Sequence, residues 1–130
     1  MSDSIFTKII KGEIPCHKVY EDELTLAFLD IHPIQPGHIL VISKKQVNHV
    51  WDLPDEDYTA LMETVKKVAN RLRETLKPER VGVHIIGVDV PHAHVHVFPF
   101  NIVEEYRRVA DSSTEPDQEA LTDMAKKLAF

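Results

Sequence analysis

The stretch VPHAHVHVFPF, residues 90–100, carries a histidine at every second position of its centre. These histidines are His92, His94 and His96. Side chains two residues apart on a strand point to the same face of a sheet. The stretch therefore predicts a strand with two unlike faces, one lined by imidazoles and the other turned towards the core. The apolar residues of that second face are Ala93, Val95 and Val97.

Solvent exposure and metal binding are two explanations of the imidazole face. A solvated strand face that happens to be rich in histidine is the simpler one. A His-x-His pair on a strand also supplies two common ligands for zinc or another transition metal. His92 and His96 lie ~13 Å apart at ~3.3 Å per residue, so they barely reach one ion. A third ligand would have to come from elsewhere, such as His38 or Asp89.

Chemistry at a phosphate ester or amide is the third explanation of this face. Imidazole is a good nucleophile near neutral pH, and its phosphorylated form is reactive enough to be hydrolysed. One histidine would attack phosphorus, while its neighbours donate hydrogen bonds to the phosphoryl oxygens and assist the leaving group. A spread row of imidazoles suits this chemistry better than a shared metal ion, with the middle histidine facing phosphorus.

The segments around the histidine strand predict four further strands, recognised by alternating or continuous apolar residues. They are KVYEDE (18–23), LTLAFLDI (24–31), HILVIS (38–43) and RVGVHIIG (80–87). Only VDV, residues 88–90, separates the last of these from Pro91 and the histidine strand. A link this short predicts an antiparallel hairpin.

Three helices complete the predicted fold. Residues 53–79 predict one long helix, because apolar side chains recur three or four positions apart along a single stripe. That stripe consists of Leu61, Val65, Val68, Leu72 and Leu76. A short helix is expected within residues 2–15 and a C-terminal helix after Pro116. The predicted fold class is α+β: a largely antiparallel sheet of about five strands, with one long central helix and a C-terminal helix, and with the helices on one face.

Composition sets limits on the class of protein. The chain has 130 residues, 43% of them hydrophobic and 28% charged, which predicts a single globular domain over residues 1–130. Its net charge of −6 argues against a general nucleic-acid binder, because such binding needs basic surface. Cys16 is the only cysteine, so an internal disulfide is excluded. We expect no membrane span, no signal peptide and a cytoplasmic location.

Three stretches together resemble the histidine triad (HIT) family. HAHVHVF, residues 92–98, fits the family's pattern of three alternating histidines with apolar residues between and after them. SIFTKIIKGEIP (4–15) and LAFLDIHPIQPGHILVISKK (26–45) resemble its two preceding blocks, in the same order. The similarity covers residues 1–100 at most. Residues 101–130 form a C-terminal loop and helix whose role the resemblance does not explain.

The resemblance implies an α+β fold, a homodimer with a joined ten-stranded sheet, and hydrolysis or transfer at the α-phosphate of a nucleotide. The implied substrates are purine nucleoside phosphoramidates, adenylylated amines or dinucleoside polyphosphates, and no cofactor or metal is needed for the chemistry. The family's transferase branch has glutamine at the third motif position. This chain keeps His96 there, so a hydrolase is favoured.

The resemblance also implies a role for individual residues. His94 matches the nucleophile that forms a nucleotidyl-histidine intermediate. His96 matches the histidine on the leaving-group side, His92 the first triad member that supports the site, and His38 a further histidine that orients the triad. Asp30 matches the acidic residue that binds the ribose hydroxyls. The apolar walls around the base match Phe28, Ile31, Ile5 and Phe6.

The sequence departs from the family pattern in two places. Many bacterial members have two cysteines in the amino-terminal segment that join histidines in a structural zinc site, and Ser4 and Thr7 stand at those positions. The resemblance therefore implies no such zinc here. The loop before the triad is short, and Asp89 stands where a hydroxyl or amide would contact phosphate. A carboxylate there repels phosphate unless it turns away or pairs, and His84 lies near the position of a missing asparagine.

Two other functions remain open from the residues alone. The same pocket could hold a purine nucleotide with little turnover, because Asp89 and the short loop weaken the phosphate site. Alternatively, the His-x-His array could bind a metal. The expected partners are a small-molecule nucleotide substrate and a second copy of the chain, with no nucleic acid and no membrane.

Overall fold

A computed structural model describes residues 2–130, which form a five-stranded antiparallel sheet in the order β1-β2-β3-β5-β4. The predicted α+β fold class is confirmed. The strands are β1 (Lys18–Glu21), β2 (Thr25–Leu29), β3 (Ile39–Ser43), β4 (Arg80–His84) and β5 (His94–Phe100). The helices are α1 (Ile5–Ile10), α2 (Asp55–Leu76), α3 (Val103–Tyr106) and α4 (Gln118–Leu128), with a 3-10 turn at Val50–Asp52.

Helix α2 covers one face of the sheet and builds the main core. Acidic residues occupy its first turn, where the helix dipole favours negative charge. The helix ends at Lys77, which has a left-handed φ of 50°, and Pro78 follows. The predicted apolar stripe is confirmed, since its residues pack against the core side chains of β2, β3 and β5. Ala93, Val95 and Val97 belong to this core, as the alternation predicts.

The opposite face of the sheet carries a second apolar cluster under α1. Phe6 of α1 packs there against strand residues that alternate with those of the main core. These strand residues are Leu26, Phe28, Leu40 and Ile42. The expectation that all helices share one face is therefore wrong, because α1 lies on the side away from α2. Alternation places His94 and His96 on this second face, opposite Ile42 and Leu40 of β3.

The hairpin before the histidine strand is longer than predicted. Strand β4 ends at His84 and β5 begins at His94, so residues 85–93 form the connection instead of VDV alone. The Ala93 N–H donates to the Val47 carbonyl at 2.7 Å rather than to a residue of β4. His92 therefore lies just before the strand, and only the other two motif histidines are strand residues.

The C-terminal residues complete the main core. Leu121 and Leu128 of α4 are buried in it, and the Arg71 side chain of α2 donates to the Leu128 carbonyl at 3.0 Å. At the end of the chain, the Phe130 N–H donates to the Val19 carbonyl of β1 at 2.9 Å. Helix α4 thus packs on its own chain. None of the helices within residues 2–130 combines the length and the hydropathy needed to cross a membrane.

Candidate active site

The predicted site residues cluster on the face of the sheet that α1 covers. One cavity of about 310 Å³ is lined by all of the predicted nucleotide-binding residues and by two of the predicted catalytic histidines. These residues are Ile5, Phe6, Phe28, Asp30, Ile31, Asp89, His94 and His96. His38 and His92 do not line this cavity, and each supports it from behind through hydrogen bonds.

His94 presents an unprotonated ring nitrogen when the ring is neutral. Its Nδ1 lies 2.7 Å from the His92 carbonyl oxygen, and because a carbonyl only accepts, Nδ1 must carry the hydrogen. The lone pair therefore lies on Nε2. The ring is 3% exposed and packs edge to face on Phe6, with the ring centroids 5.1 Å apart. This contact and the carbonyl fix the ring in one orientation.

His96 has the opposite tautomer. The Ile34 N–H donates to His38 Nδ1 at 3.1 Å, so the hydrogen of a neutral His38 lies on Nε2. That Nε2 donates in turn to His96 Nδ1 at 3.0 Å. His96 Nδ1 is therefore an acceptor, and Nε2 of the neutral ring carries the hydrogen. The two neighbouring imidazoles thus offer a lone pair and an N–H donor, as attack and leaving-group stabilisation require.

The surroundings of His38 and His96 favour the neutral forms of both rings. Burial, with further contributions from His96 and His84, lowers the pKa of His38 to about 3. Burial, with contributions from His94 and His84, lowers the pKa of His96 to about 4. Both rings are consequently uncharged near pH 7, so the tautomers assigned from their hydrogen bonds hold there.

These pKa values predict acid destabilisation. Between about pH 4 and 6.5 the unfolded chain binds protons at histidines that the folded chain leaves neutral, so the free energy of unfolding rises with pH across this window and falls as pH falls. We expect His38→Gln to reduce the slope by up to about 1.4 kcal/mol per pH unit. Urea unfolding at several pH values measures how steeply the free energy of unfolding changes with pH. The difference in free energy of unfolding between wild type and variant at pH 8 gives the effect of the substitution apart from titration. Parallel plots of the two free energies against pH would contradict the prediction.

His92 is a fully buried positioning residue. Its Nε2 donates to the Ser43 carbonyl at 2.6 Å, which leaves Nδ1 as an acceptor for the Ser4 hydroxyl at 2.7 Å. Ser4 is also the N-cap of α1, since its Oγ accepts from the Thr7 N–H at 3.0 Å. The Thr7 hydroxyl donates to Gln46 Oε1 at 2.6 Å. This network fixes the ring of His92, whose carbonyl holds His94.

The same network bears on the structural zinc of the family's cysteine-containing members. Around His92 Nδ1 the described residues place the hydroxyls of Ser4 and Thr7, at 2.7 and 3.4 Å. Structural zinc sites use thiolate and imidazole ligands, and a neutral hydroxyl is a poor substitute. The donor set at this position does not fit a tetrahedral zinc.

Asp30 lies where the cavity meets His38 and His96. Its Oδ1 accepts from the His32 N–H at 2.8 Å, and its Oδ2 lies 3.7 Å from His38 Nε2. Burial raises the pKa of this carboxyl, with a smaller contribution from Asp89. Ligand atoms of Asp30, His38 and His96 lie within 4.8 Å of one another. A metal ion bound by this trio would have to displace the hydrogen that His38 shares with His96.

The sequence did not indicate several residues that build the site. The orienting network of Ser4, Thr7 and Gln46 is one group, and His32 is half-buried at the cavity wall. Further wall residues are Ile9, Ile14, Pro15, Cys16, Leu40 and Val90. Serine is a preferred N-cap residue, so the capping role of Ser4 is local in sequence. Its second role, the hydrogen bond to His92, depends on a residue far along the chain.

Comparison with known proteins identifies the family. A family model described as the HIT domain matches residues 11–101, and the chain belongs to this family. It is 40% identical over 102 residues to "Protein hit" of Bacillus subtilis, covering 73% of this chain and 69% of that protein. It is 41% identical over 100 residues to the adenosine 5'-monophosphoramidase hnt1 of Schizosaccharomyces pombe, covering 73% and 72%. A solved Hit-like protein from Bartonella henselae has a TM-score of 0.85 at 30% identity, covering 97% and 93%.

Proposed function

We propose that this protein is a nucleotide hydrolase acting at the α-phosphate of purine nucleoside phosphoramidates, adenylylated amines or dinucleoside polyphosphates. The observation that carries the proposal is the pair of opposite tautomers at the cavity, a lone pair on His94 and an N–H on His96. Relatives in the same family, among them an adenosine 5'-monophosphoramidase, support this reaction class.

The proposed reaction has two steps at phosphorus. His94 Nε2 attacks, a bond to phosphorus forms, and the bond from phosphorus to the leaving nitrogen or oxygen breaks. His96 Nε2–H donates a hydrogen bond to the leaving atom, and a leaving nitrogen takes one proton from solvent. Water then attacks the nucleotidyl-histidine, releases the nucleoside monophosphate and gives one proton back to solvent. The cycle restores both imidazoles to their starting tautomers.

The remaining cavity residues are proposed to hold the nucleotide. Roughly 300–1,000 Å³ is usual for small-molecule pockets, and the apolar side chains of Ile5, Phe6, Phe28 and Ile31 offer flat or aliphatic surface to a purine. Asp30 would accept hydrogen bonds from the ribose hydroxyls. Asp89 is exposed and lines the same cavity, where its charge opposes phosphate binding unless it turns to solvent.

Asp30→Asn is expected to weaken binding of AMP by about tenfold or more. The carboxylate accepts from both ribose hydroxyls, and a hydrogen bond to a charged group contributes about 1.5–3 kcal/mol. Calorimetric titration with AMP and with 2',3'-dideoxy-AMP measures the effect, which should nearly vanish for the second ligand. Asp55→Asn, on the exposed first turn of α2, is the matched control. Equal losses for both ligands would remove Asp30 from the ribose site.

One assay tests the proposed function against its alternatives. Adenosine phosphoramidate is incubated with the protein, with and without a chelator, and AMP is measured. Chelator-insensitive release is the expected result. Release that stops on chelation would favour a metal at Asp30, His38 and His96. Binding of AMP without any release would favour a purine nucleotide-binding module.

We further propose a single domain over residues 1–130 that forms a cytoplasmic homodimer. Packing of α4 in the main core supports the single domain. Strand β4 lies at the edge of the sheet, where unpaired backbone groups can pair with a second copy, although the Val83 carbonyl already accepts from the Tyr106 hydroxyl at 3.3 Å. Light scattering of the purified protein gives its mass in solution and tests the dimer.

A further inference from the structure

A second cavity adjoins the first on the far side of His96. It measures about 710 Å³, which is far more space than the small leaving group of an unsubstituted phosphoramidate requires. Four residues line both cavities: Asp30, His32, Asp89 and His96. A nucleotide in the first cavity, with its phosphorus at His94, would therefore direct its leaving group into the second.

One part of the wall of the second cavity comes from residues beyond the HIT-domain match. Tyr106 of α3 packs on Phe98 and His84, with ring centroids 5.3 and 4.7 Å apart. It does so over Gly82, where an added Cβ would overlap the Tyr106 ring. Because Gly82 has no side chain, the segment that contains Tyr106 lies directly on the backbone of strand β4. The segment carries Arg107 and Arg108 into the cavity wall.

Arg108 is connected to the loop that carries His38. Arg108 donates to the side chain of Gln35, which is only 9% exposed. The backbone carbonyl of Gln35 accepts from the His38 N–H at 3.0 Å. One buried residue therefore connects Arg108 to the loop that positions His38. The charge of Arg108 acts on Glu105, whose Oε1 accepts from the backbone N–H groups of residues 101 and 102.

The charges of the second cavity differ from those of the chain as a whole. The net charge is −6, and the carboxylates of Asp30 and Asp89 lie at the junction of the two cavities. Beyond that junction the charged residues of the wall are arginines. Within residues 2–130 neither Arg107 nor Arg108 forms an ion pair, so no carboxylate is in direct contact with either guanidinium.

We propose that the second cavity binds the leaving group, and that Arg107 and Arg108 select nucleotidylated amines whose leaving group ends in a carboxylate or a phosphate. This inference rests on the proposed function. Guanidinium groups bind both anions through paired, charge-assisted hydrogen bonds. His32 and His84 each have a buried Nδ1 without a hydrogen-bond partner in the described residues. Such groups call for a water or ligand partner, which a polar leaving group can supply.

A matched substrate series tests the selection. AMP is linked through nitrogen to 4-aminobutyrate, to butylamine, to 1,4-diaminobutane or to 3-aminopropyl phosphate, so that length is similar and terminal charge varies. The wild type should show the higher kcat/KM for the anionic members and the lowest for the cationic one. The ratio between the carboxylate and phosphate members identifies which anion is preferred. Added salt should reduce the preference, because it screens partly exposed charges.

Substitutions locate the preference. In the double variant Arg107→Gln, Arg108→Gln, the ratio of kcat/KM for the carboxylate member over the butylamine member should fall about tenfold, a change of about 1.4 kcal/mol. Gly82→Val should lower the same ratio by displacing Tyr106 without removing charge. Arg73→Gln, on the far side of α2 beside Asn70, is the control and should keep the wild-type ratio.

The outcomes separate this inference from the proposed function. If no member of the series releases AMP, the proposed function fails. If all members release AMP and the wild type shows no anionic preference, or the double variant keeps the wild-type ratio, the leaving-group inference is overturned while the hydrolase stands. Thermal unfolding and turnover of the butylamine member are measured for each variant. Together they show whether a changed ratio comes from folded protein.

Discussion

Replacing His94 with alanine should lower the rate of AMP release from adenosine phosphoramidate by about 10⁴-fold or more, as loss of a catalytic nucleophile generally does. His94 Nε2 has a free lone pair when the ring is neutral, since Nδ1 donates to the His92 carbonyl at 2.7 Å. Affinity for AMP should remain within a few-fold of wild type, because the apolar walls and Asp30 are unchanged.

A rapid-quench experiment measures the same prediction directly. Wild-type protein mixed with substrate should gain the mass of one nucleotidyl group, and His94→Ala should gain none. His17→Ala is the matched control, because His17 contacts Gln118 of α4 at 2.8 Å and lines neither of the two cavities at His96. Turnover that survives in His94→Ala would show that the nucleophile is another group.

Replacing His96 with alanine should lower kcat by about 10²–10³-fold, the usual cost of one hydrogen-bond donor that stabilises developing charge. The His38 contact at 3.0 Å fixes the N–H on Nε2, and the lowered pKa of about 4 keeps the ring neutral. In the proposed reaction His96 therefore acts as a hydrogen-bond donor to the leaving atom.

Substrates with different leaving groups distinguish this role of His96 from a purely structural one. The loss in His96→Ala should be largest for an alkylamine and much smaller for AMP imidazolide, whose leaving group needs little stabilisation. Steady-state kcat with both substrates measures the difference. An equal loss for the two would mean that His96 maintains the shape of the site without contacting the leaving atom.

Much of the fold was predictable because its signals are local. The alternation in β5 separates core residues from histidines by geometry alone, and the stripe of α2 follows from the helical repeat. The family motifs indicated the residues that line the cavity of about 310 Å³. The fold predictions succeed because each depends on neighbours within a few positions of the chain, whereas the roles of the site residues remain predictions.

The missed features depend on contacts between distant residues. Residues 85–93 are largely apolar and therefore resemble strand, yet Ile86 and Val88 are 58% and 80% exposed, so hydrophobicity there does not report burial. A short amphipathic helix such as α1 does not encode which face of a sheet it covers. The place of Arg107 depends on Tyr106 packing over Gly82, which no local pattern shows.

The Ser4 hydroxyl has a consequence for how this protein is handled. The Ser4 hydroxyl caps α1 and donates a hydrogen bond to His92. The His92 carbonyl in turn accepts a hydrogen bond from His94. The first turn of α1 therefore helps to fix the orientation of His94, the proposed nucleophile. A fusion partner or affinity tag that pulls this turn open would loosen the nucleophile while the rest of the fold stays intact. Low activity in amino-terminally tagged preparations would then reflect the tag rather than the enzyme.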